Sequence, residues 1–230
     1  CEALLGEMSD MVRVLFPADH NSVLATLPAI YQARGQLACM VIPKRERPAV
    51  FSQAQAEQLA RDGAVLVEQL DGEEPLLLMA CGSYQLAEMQ RAAVRLRTAG
   101  LAYRLVYVQE PGRFRAPRDR WEAEALASPE LIAQLFAPTL RRRVLLTHMR
   151  PEVARGHLWP LLPEASNTVV LGYRNRGGTL DEAGMQFANS ATWAHILDAC
   201  AQLLQVPLSG VLSAAEITAV KGEGDPRVLR

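Results

Sequence analysis

Two charged or titratable residues follow directly on apolar stretches of the sequence. Lys44 comes after the stretch 37–42, and His148 comes after the stretch 143–147. We predict that both stretches are buried strands, and the carboxyl ends of parallel strands are where α/β folds place their ligands. Lys44 is therefore a candidate ligand-binding cation and His148 a candidate anion-binding or interface residue. The alternatives are a surface lysine and a hydrogen-bonded structural histidine.

Arginines accumulate in two further segments. Arg174 and Arg176 lie in the glycine-rich turn 172–178, whose backbone N–H groups can bind an anion, although such a turn after a strand also serves only to reverse the chain. The segment 109–120 is a predicted surface loop, whose arginines are either solvated or paired with a phosphate or an acidic neighbour. Its four arginines are Arg113, Arg115, Arg118 and Arg120.

Other kinds of site have no support in the sequence. None of the four histidines has metal-ligand spacing to another histidine or to a cysteine, so we expect no metal site. No Walker, GxGxxG, nucleophile-elbow or HExxH motif is found. The histidines are His20, His148, His157 and His195.

The composition is that of an ordinary globular protein. Of 230 residues, 50% are hydrophobic and 21% charged, and the net charge of −1 argues against nucleic acid as a partner. No apolar run approaches the roughly 18 residues of a membrane span, and the amino end lacks a signal-peptide pattern, so we expect a cytoplasmic protein without a membrane partner. The four scattered cysteines favour buried free thiols over disulfides. Because the chain begins with Cys1, we expect it to be a piece of a longer protein.

The stretch 75–100 organises the predicted fold. An apolar strand at 76–80 leads into an amphipathic helix that Ser83 can cap and that Gly100 ends. A second strand at 103–108 follows at once, as in a right-handed parallel crossover. Further buried strands are predicted at 143–147 and 167–172, the latter followed by a helix that Asn189 or Ser190 can cap.

A smaller strand–helix–strand unit precedes this sheet, at residues 10–43. Between the two units we predict a helix from Ser52 to Asp62 and a strand at 64–69, and we place the domain boundary in the polar segment 71–75. The predicted division is 1–48 for the smaller unit, 49–74 for a linker segment, 75–205 for the main domain and 206–230 for a tail, loose from Lys221 onward.

Several spaced blocks of the sequence resemble the carboxyl-terminal part of phosphoketolases, which are thiamine-diphosphate enzymes of the transketolase superfamily. The resemblance extends from Val12 to about Leu204, and the blocks are VRVLFPADHNSVLATL, LACMVIPKRERP, LLLMACGSYQLAEMQRAAVRLR, YRLVYVQEP, VLLTHMRP and VVLGYRNRGGT. It implies an α/β fold of three layers, with a mostly parallel sheet flanked by helices, like the transketolase carboxyl-terminal domain. Residues 1–48 would be the remnant of a pyrimidine-binding-type domain.

The resemblance also implies roles for single residues. Lys44 matches a lysine that helps to hold the substrate phosphate, although the family's glycine before it is Pro43 here. His148 and the pair Gly172–Tyr173 match family positions at strand ends, and two residues of the following helix, Asn189 and His195, match as well. The family's histidine-bearing loop is replaced between residues 109 and 127 by the arginine-rich one, which indicates a divergent branch.

The implied function is that of a fragment. The resemblance implies phosphorolytic cleavage of a ketose phosphate to acetyl phosphate, in a full-length homodimer that binds thiamine diphosphate and Mg²⁺ through amino-terminal domains absent from this chain. We expect this chain to bind neither cofactor and to be inactive alone, while it supports assembly and the edge of the active site. The alternatives are a sugar-phosphate isomerase or epimerase of the same superfamily and a non-catalytic interaction or regulatory module.

Overall fold

The computed structural model describes residues 1–162 and 164–230, and its elements alternate between strands and helices. The strands are β1 (Val12–Leu15), β2 (Leu37–Met40), β3 (Ala64–Leu70), β4 (Leu76–Cys81), β5 (Tyr103–Val108), β6 (Arg143–Thr147) and β7 (Thr168–Leu171). The helices are α1 (Glu2–Leu5), α2 (His20–Gln32), α3 (Gln53–Asp62), α4 (Ser83–Thr98), α5 (Arg120–Ala125), α6 (Pro129–Leu135), α7 (Pro151–His157), α8 (Glu182–Ala188), α9 (Trp193–Leu204) and α10 (Ala214–Val220).

Five strands form the main sheet in the order β3-β5-β4-β6-β7. All neighbours are parallel except β3, which pairs antiparallel with β5. Strands β1 and β2 form a separate two-stranded parallel sheet. The predicted fold class, a mostly parallel α/β sheet, is therefore confirmed.

Helices cover both faces of the main sheet because successive side chains of β4 point to opposite sides. Leu76, Leu78 and Ala80 pack in one cluster with residues of α4 and α9. Leu77, Met79 and Cys81 pack in the other with residues of α6 and α7. All six residues of β4 are buried, as expected for the central strand of a three-layer fold.

The segment 49–74 is more than a connection. It contains α3 and β3, and β3 is the edge strand of the main sheet, so the polar segment at 71–75 joins two strands of one sheet. The domain limits themselves stay a prediction.

The smaller unit is tied to the carboxyl edge of the main sheet by hydrogen bonds. Phe16 N donates to Gln109 O at 2.8 Å, and the Ser83 hydroxyl donates to Ala18 O at 2.6 Å. The prediction that Ser83 caps α4 was therefore wrong. Gly82 occupies the N-cap position, without a side-chain hydrogen bond.

Asp19 fastens the same junction. One carboxylate oxygen accepts from Ser22 N at 2.9 Å and caps α2, while the other accepts from the backbone N–H groups of Val50 and Phe51 at 2.7 and 2.8 Å. Burial raises the pKa of this carboxyl, but the hydrogen bonds from Phe51, Ser22 and Val50 outweigh that effect, and the pKa lies below its usual value.

The carboxyl-terminal segment is folded against the domain, so the expectation of a loose tail was wrong. Residues Pro226–Leu229 form a 3-10 helix, and Leu229 is buried. The carbonyl oxygen of Leu229 accepts from Trp193 Nε1 at 2.8 Å and from Arg91 Nη2 at 3.1 Å. The sequence did not predict this folded segment because its position depends on contacts with α4 and α9, which are distant in sequence.

Candidate functional site

A cleft of about 450 Å³ opens at the carboxyl edge of the main sheet. Its walls are the segment after β2, the first turn of α4, the ends of β6 and β7, and helix α8. The structure brings two sequence-predicted residues, Lys44 and His148, to the same cleft. The residues that line it include Lys44, Arg45, Tyr84, Gln85, His148, Gly172, Tyr173, Asp181, Glu182 and Asn189.

Two glycines at strand ends shape this cleft. Gly82 has φ +115°, and a Cβ there would lie 2.3 Å from Gln85 Oε1. A Cβ on Gly172 would lie 2.4 Å from the carbonyl oxygen of Met149. Real Cβ atoms do not approach a backbone oxygen so closely, so the turn at Gly172 requires glycine, while at Gly82 the positive φ favours glycine.

His148 sits immediately after β6. Its N–H donates to Cys81 O at 2.8 Å, which continues the pairing of β6 with β4 by one residue. Its ring lies 5.8 Å from the ring of Phe16, between centroids. Desolvation lowers the pKa of His148, and nearby Glu2 opposes this only in part, so the imidazole is neutral at pH 7.

The cations and the carboxylates of the cleft differ in their pairing. Lys44 and Arg45 form no ion pair with any residue of 1–162 or 164–230. Both carboxylates on the α8 side are paired, Glu182 with Arg47 at 3.2 Å and Asp181 with Arg230 at 3.0 Å. The unpaired charge facing the cleft is therefore positive.

The loop after β7 is held by Asn189. This buried side chain accepts from the N–H groups of Arg174 and Arg176 at 2.7 and 3.3 Å, and its amide donates to Arg176 O at 3.0 Å and to Met185 O at 2.8 Å. The side chains of Arg174 and Arg176 are exposed and are not among the lining residues of the cleft. Asn189 thus stabilises the loop, whereas the sequence had suggested it as a helix cap.

Gln85 was missed by sequence reasoning. It lies in the first turn of α4, is only 7% exposed, and its Oε1 has no hydrogen-bond partner among the described residues. The available signal was its spacing, since Gln85 precedes Met89 and Leu96 on the buried stripe of the helix. A polar residue on such a stripe indicates a requirement other than packing.

The arginine-rich segment binds an acidic neighbour of its own chain. Glu122 is fully buried and pairs with Arg118 at 2.7 Å, and it accepts from Ser9 N at 3.0 Å. Arg118 Nη1 also donates to Gly6 O at 2.7 Å, and Arg115 Nη1 donates to Leu5 O at 3.1 Å. Arg115 and Arg118 thus attach the α1 region to the main domain.

No metal or membrane feature emerges from the part of the chain that the structure describes. Among these residues, no group of three or more His, Cys, Asp or Glu side chains could hold a metal ion. No helix among them has the length and the apolar character needed to cross a bilayer. All four cysteines are free, and Cys81 and Cys200 are buried.

The structural comparisons define the class of fold. A transketolase from Leishmania mexicana matches with a TM-score of 0.64 and 14% identity, over 92% of this chain and 28% of its own. A split-gene transketolase, described as an inactive β4 tetramer, matches with a TM-score of 0.59 and 17% identity, over 85% of this chain and 58% of its own. The chain therefore has a transketolase-type fold.

The sequence comparisons point to one group within that class. A probable phosphoketolase from Lactococcus lactis is 29% identical over 143 residues, which are 59% of this chain and 17% of the relative. One from Pediococcus pentosaceus is 29% identical over 96 residues, 40% of this chain and 12% of the relative. No family model matches. The resemblance to phosphoketolases is confirmed, and the matched residues span less than a fifth of these curated relatives.

Proposed function

We propose that this chain is the carboxyl-terminal part of a thiamine-diphosphate-dependent, phosphoketolase-like enzyme that cleaves a ketose phosphate with inorganic phosphate to give acetyl phosphate. The observation that carries the proposal is the 29% identity to a probable phosphoketolase over 143 residues, together with the transketolase-type fold. A cytoplasmic location and a homodimeric full-length enzyme are part of the proposal.

The described residues form no acidic cluster of the kind that Mg²⁺ needs. This ion takes several oxygen ligands from carboxylates, carbonyls or phosphates. We therefore assign thiamine diphosphate and Mg²⁺ to other domains of the full-length enzyme and derive no chemical step from this chain. Its proposed roles are assembly and the edge of the active site.

An apolar surface on the smaller unit supports the presence of further domains. Tyr31 and Leu24 on α2 are 82% and 60% exposed, and Leu37 on β2 is 51% exposed. Within residues 1–162 and 164–230, strand β2 pairs with β1 alone, and a two-stranded sheet is marginally stable by itself. We propose that preceding domains of the parent chain cover this surface, which would continue the sheet beyond β2.

Within this function, Lys44 is the proposed phosphate-binding residue. It is exposed, it lines the cleft, and its compact ammonium suits a phosphate that must also be released. His148, Arg174 and Arg176 remain candidates for anion binding or for an interface.

The deciding experiment compares two proteins. The full-length gene product and the 230-residue chain are each assayed for acetyl phosphate from xylulose 5-phosphate and inorganic phosphate, with thiamine diphosphate and Mg²⁺ present. We expect activity only from the full-length protein. Conversion of the sugar phosphate to an isomer or epimer without acetyl phosphate would replace the proposal by the isomerase alternative, and an open reading frame that starts just upstream of Cys1 would favour the interaction module.

A further inference from the structure

Helix α8 is weakly attached to the rest of the molecule. It is the one α-helix within 1–162 and 164–230 that contains no buried residue, whereas α4 and α9 contain six and seven. Segments with few buried contacts open locally at a low cost in free energy. A helix of seven residues also does not keep its hydrogen bonds once it leaves its packing position.

Open space adjoins α8 on two sides. One space is the cleft, and the other is a second cavity of about 250 Å³, which we call the rear cavity. Leu180, Asp181 and Gln186 line both spaces, so the α8 region separates them. The rear cavity is also lined by Glu88, Arg91, Ala183, Phe187, Pro226 and Leu229. Because protein interiors are otherwise close-packed, a cavity at this place gives α8 room to move away from the smaller unit.

Two adjacent carboxylates at the amino end of α8 pair with different parts of the chain. Asp181 pairs with Arg230 of the carboxyl-terminal segment, and Glu182 pairs with Arg47 of the segment after β2. In the described part of the chain, the Arg47–Glu182 contact of 3.2 Å is the one ion pair or hydrogen bond between residues 41–51 and residues 172–192. The Arg47 guanidinium also lies 5.0 Å from the centre of the Tyr84 ring. Arg47 therefore connects the smaller unit, α4 and α8.

We propose that α8 is a movable wall of the cleft, and that the Arg47–Glu182 ion pair holds it in the narrow position. When the pair breaks, α8 moves toward the rear cavity and the cleft widens. A partly exposed ion pair shifts such an equilibrium by at most about five-fold, so this contact is weak enough to break and form again as molecules enter and leave. In making α8 a gate for substrate this inference rests on the proposed function, but the motion of α8 can be tested without catalysis.

The test follows hydrogen exchange of the α8 backbone amides in the 230-residue chain. Arg47→Gln removes the ion pair. Arg45→Gln is the matched control, because it removes the same charge from the same segment at a residue without an ion pair in 1–162 or 164–230. The α8 amides should exchange about 2- to 5-fold faster in Arg47→Gln and at the wild-type rate in Arg45→Gln. Unchanged exchange of the α9 amides in both variants would show that the core remains folded.

A charge exchange separates the ion pair from other effects of the substitutions. Arg47→Glu and Glu182→Arg should each accelerate α8 exchange, and the double variant should restore slow exchange. Salt at about 1 M should accelerate α8 exchange in wild type but not in Arg47→Gln, because it screens the pair. Equal α8 exchange in wild type and Arg47→Gln, or a double variant no slower than the single ones, would overturn the inference.

The role of α8 as a gate is measured in the full-length enzyme. Arg47→Gln should change kcat and KM together, as expected when wall motion controls entry and release. Unchanged values of both would overturn the gating role. Exchange of α8 that depends on Arg47, together with a full-length wild-type enzyme that makes no acetyl phosphate, would support the motion and refute only the proposed function.

Discussion

Asn189 holds the backbone of Arg174 in place through a 2.7 Å hydrogen bond from the Arg174 N–H to the asparagine Oδ1. The same side chain makes contacts with Arg176 and Met185, so one buried amide connects the loop after β7 to α8. The loop and α8 both line the cleft, which makes Asn189 a positioning residue for this site.

Replacing Asn189 by alanine should therefore destabilise the protein. The N–H groups of Arg174 and Arg176 and the carbonyl oxygens of Arg176 and Met185 would lose their partner, and we expect a loss of roughly 2–3 kcal/mol in the free energy of unfolding. Urea denaturation measures the change. Asn175→Gly is the control, because Asn175 is exposed with φ +58°, a conformation that glycine adopts freely, and a change beyond about 0.5 kcal/mol is not expected there. Equal effects of both variants would contradict the assigned role.

Glu122 should make stability depend on acid pH. The hydrogen bond from Arg118 is the main cause of a pKa of about 2 for this carboxyl, against an ordinary value of 4.5, although burial opposes the shift. Because the folded-state pKa is depressed, the contribution of Glu122 to the free energy of unfolding is complete above pH 4.5 and disappears as the pH falls toward 2. It amounts to on the order of 3 kcal/mol.

The variant Glu122→Gln should lose most of this contribution at pH 7 and show a flatter stability profile between pH 4.5 and 2. Glu124→Gln, an exposed neighbour on the same helix, is the matched control. Denaturant midpoints across that pH range provide the measurement. A profile for Glu122→Gln parallel to the wild-type profile would show that the buried pair does not govern acid stability.

Substitution of Lys44 should affect substrate binding and leave stability unchanged. Loss of a charge-assisted contact typically costs about 1.5–3 kcal/mol, so Lys44→Ala in the full-length enzyme should raise the KM for sugar phosphate roughly 10- to 150-fold. Lys221→Ala provides a control with the same charge change at a residue that does not line the cleft. An unaltered KM in Lys44→Ala would make Lys44 an ordinary surface residue and direct attention to His148, Arg174 and Arg176.

Two glycine substitutions should have opposite effects on the stability of the protein. Gly172→Ala places a Cβ against backbone carbonyl oxygens and should cost more than about 1 kcal/mol. Gly156→Ala lies in α7, where a Cβ meets nothing within 4 Å, and should stabilise by about 0.5–1 kcal/mol through helix propensity. Thermal unfolding of the pair checks both, and a stabilising Gly172→Ala would mean that the turn can relax.

The carboxyl-terminal segment should contribute to stability. Leu229 is buried, so Leu229→Ala should cost roughly 2–3 kcal/mol. Val228→Ala, at a side chain that is 43% exposed, should change little. If both variants unfold at the wild-type denaturant concentration, the segment does not pack in solution as described.

The sequence by itself determined the strands, the four longest helices (α2, α3, α4 and α9) and the fold class. The apolar runs within Leu76–Cys81 and Arg143–Thr147 predict strands, because a parallel sheet covered by helices on both faces favours continuous apolar segments. The placement of Lys44 and His148 near strand ends followed from the same runs. These features depend on local patterns, which a single sequence displays.

Only the tertiary structure decided which of these pieces meet. The antiparallel pairing of β3 with β5, the burial of Leu229 and the hydrogen bond from Ser9 N to Glu122 all depend on segments that are distant in sequence. The cleft arises in the same way, because docking the smaller unit onto the sheet edge brings Lys44 near Gln85 and His148. The unsatisfied oxygen of Gln85 becomes visible only there, since hydrogen-bond satisfaction is a property of the packed environment and not of the residue.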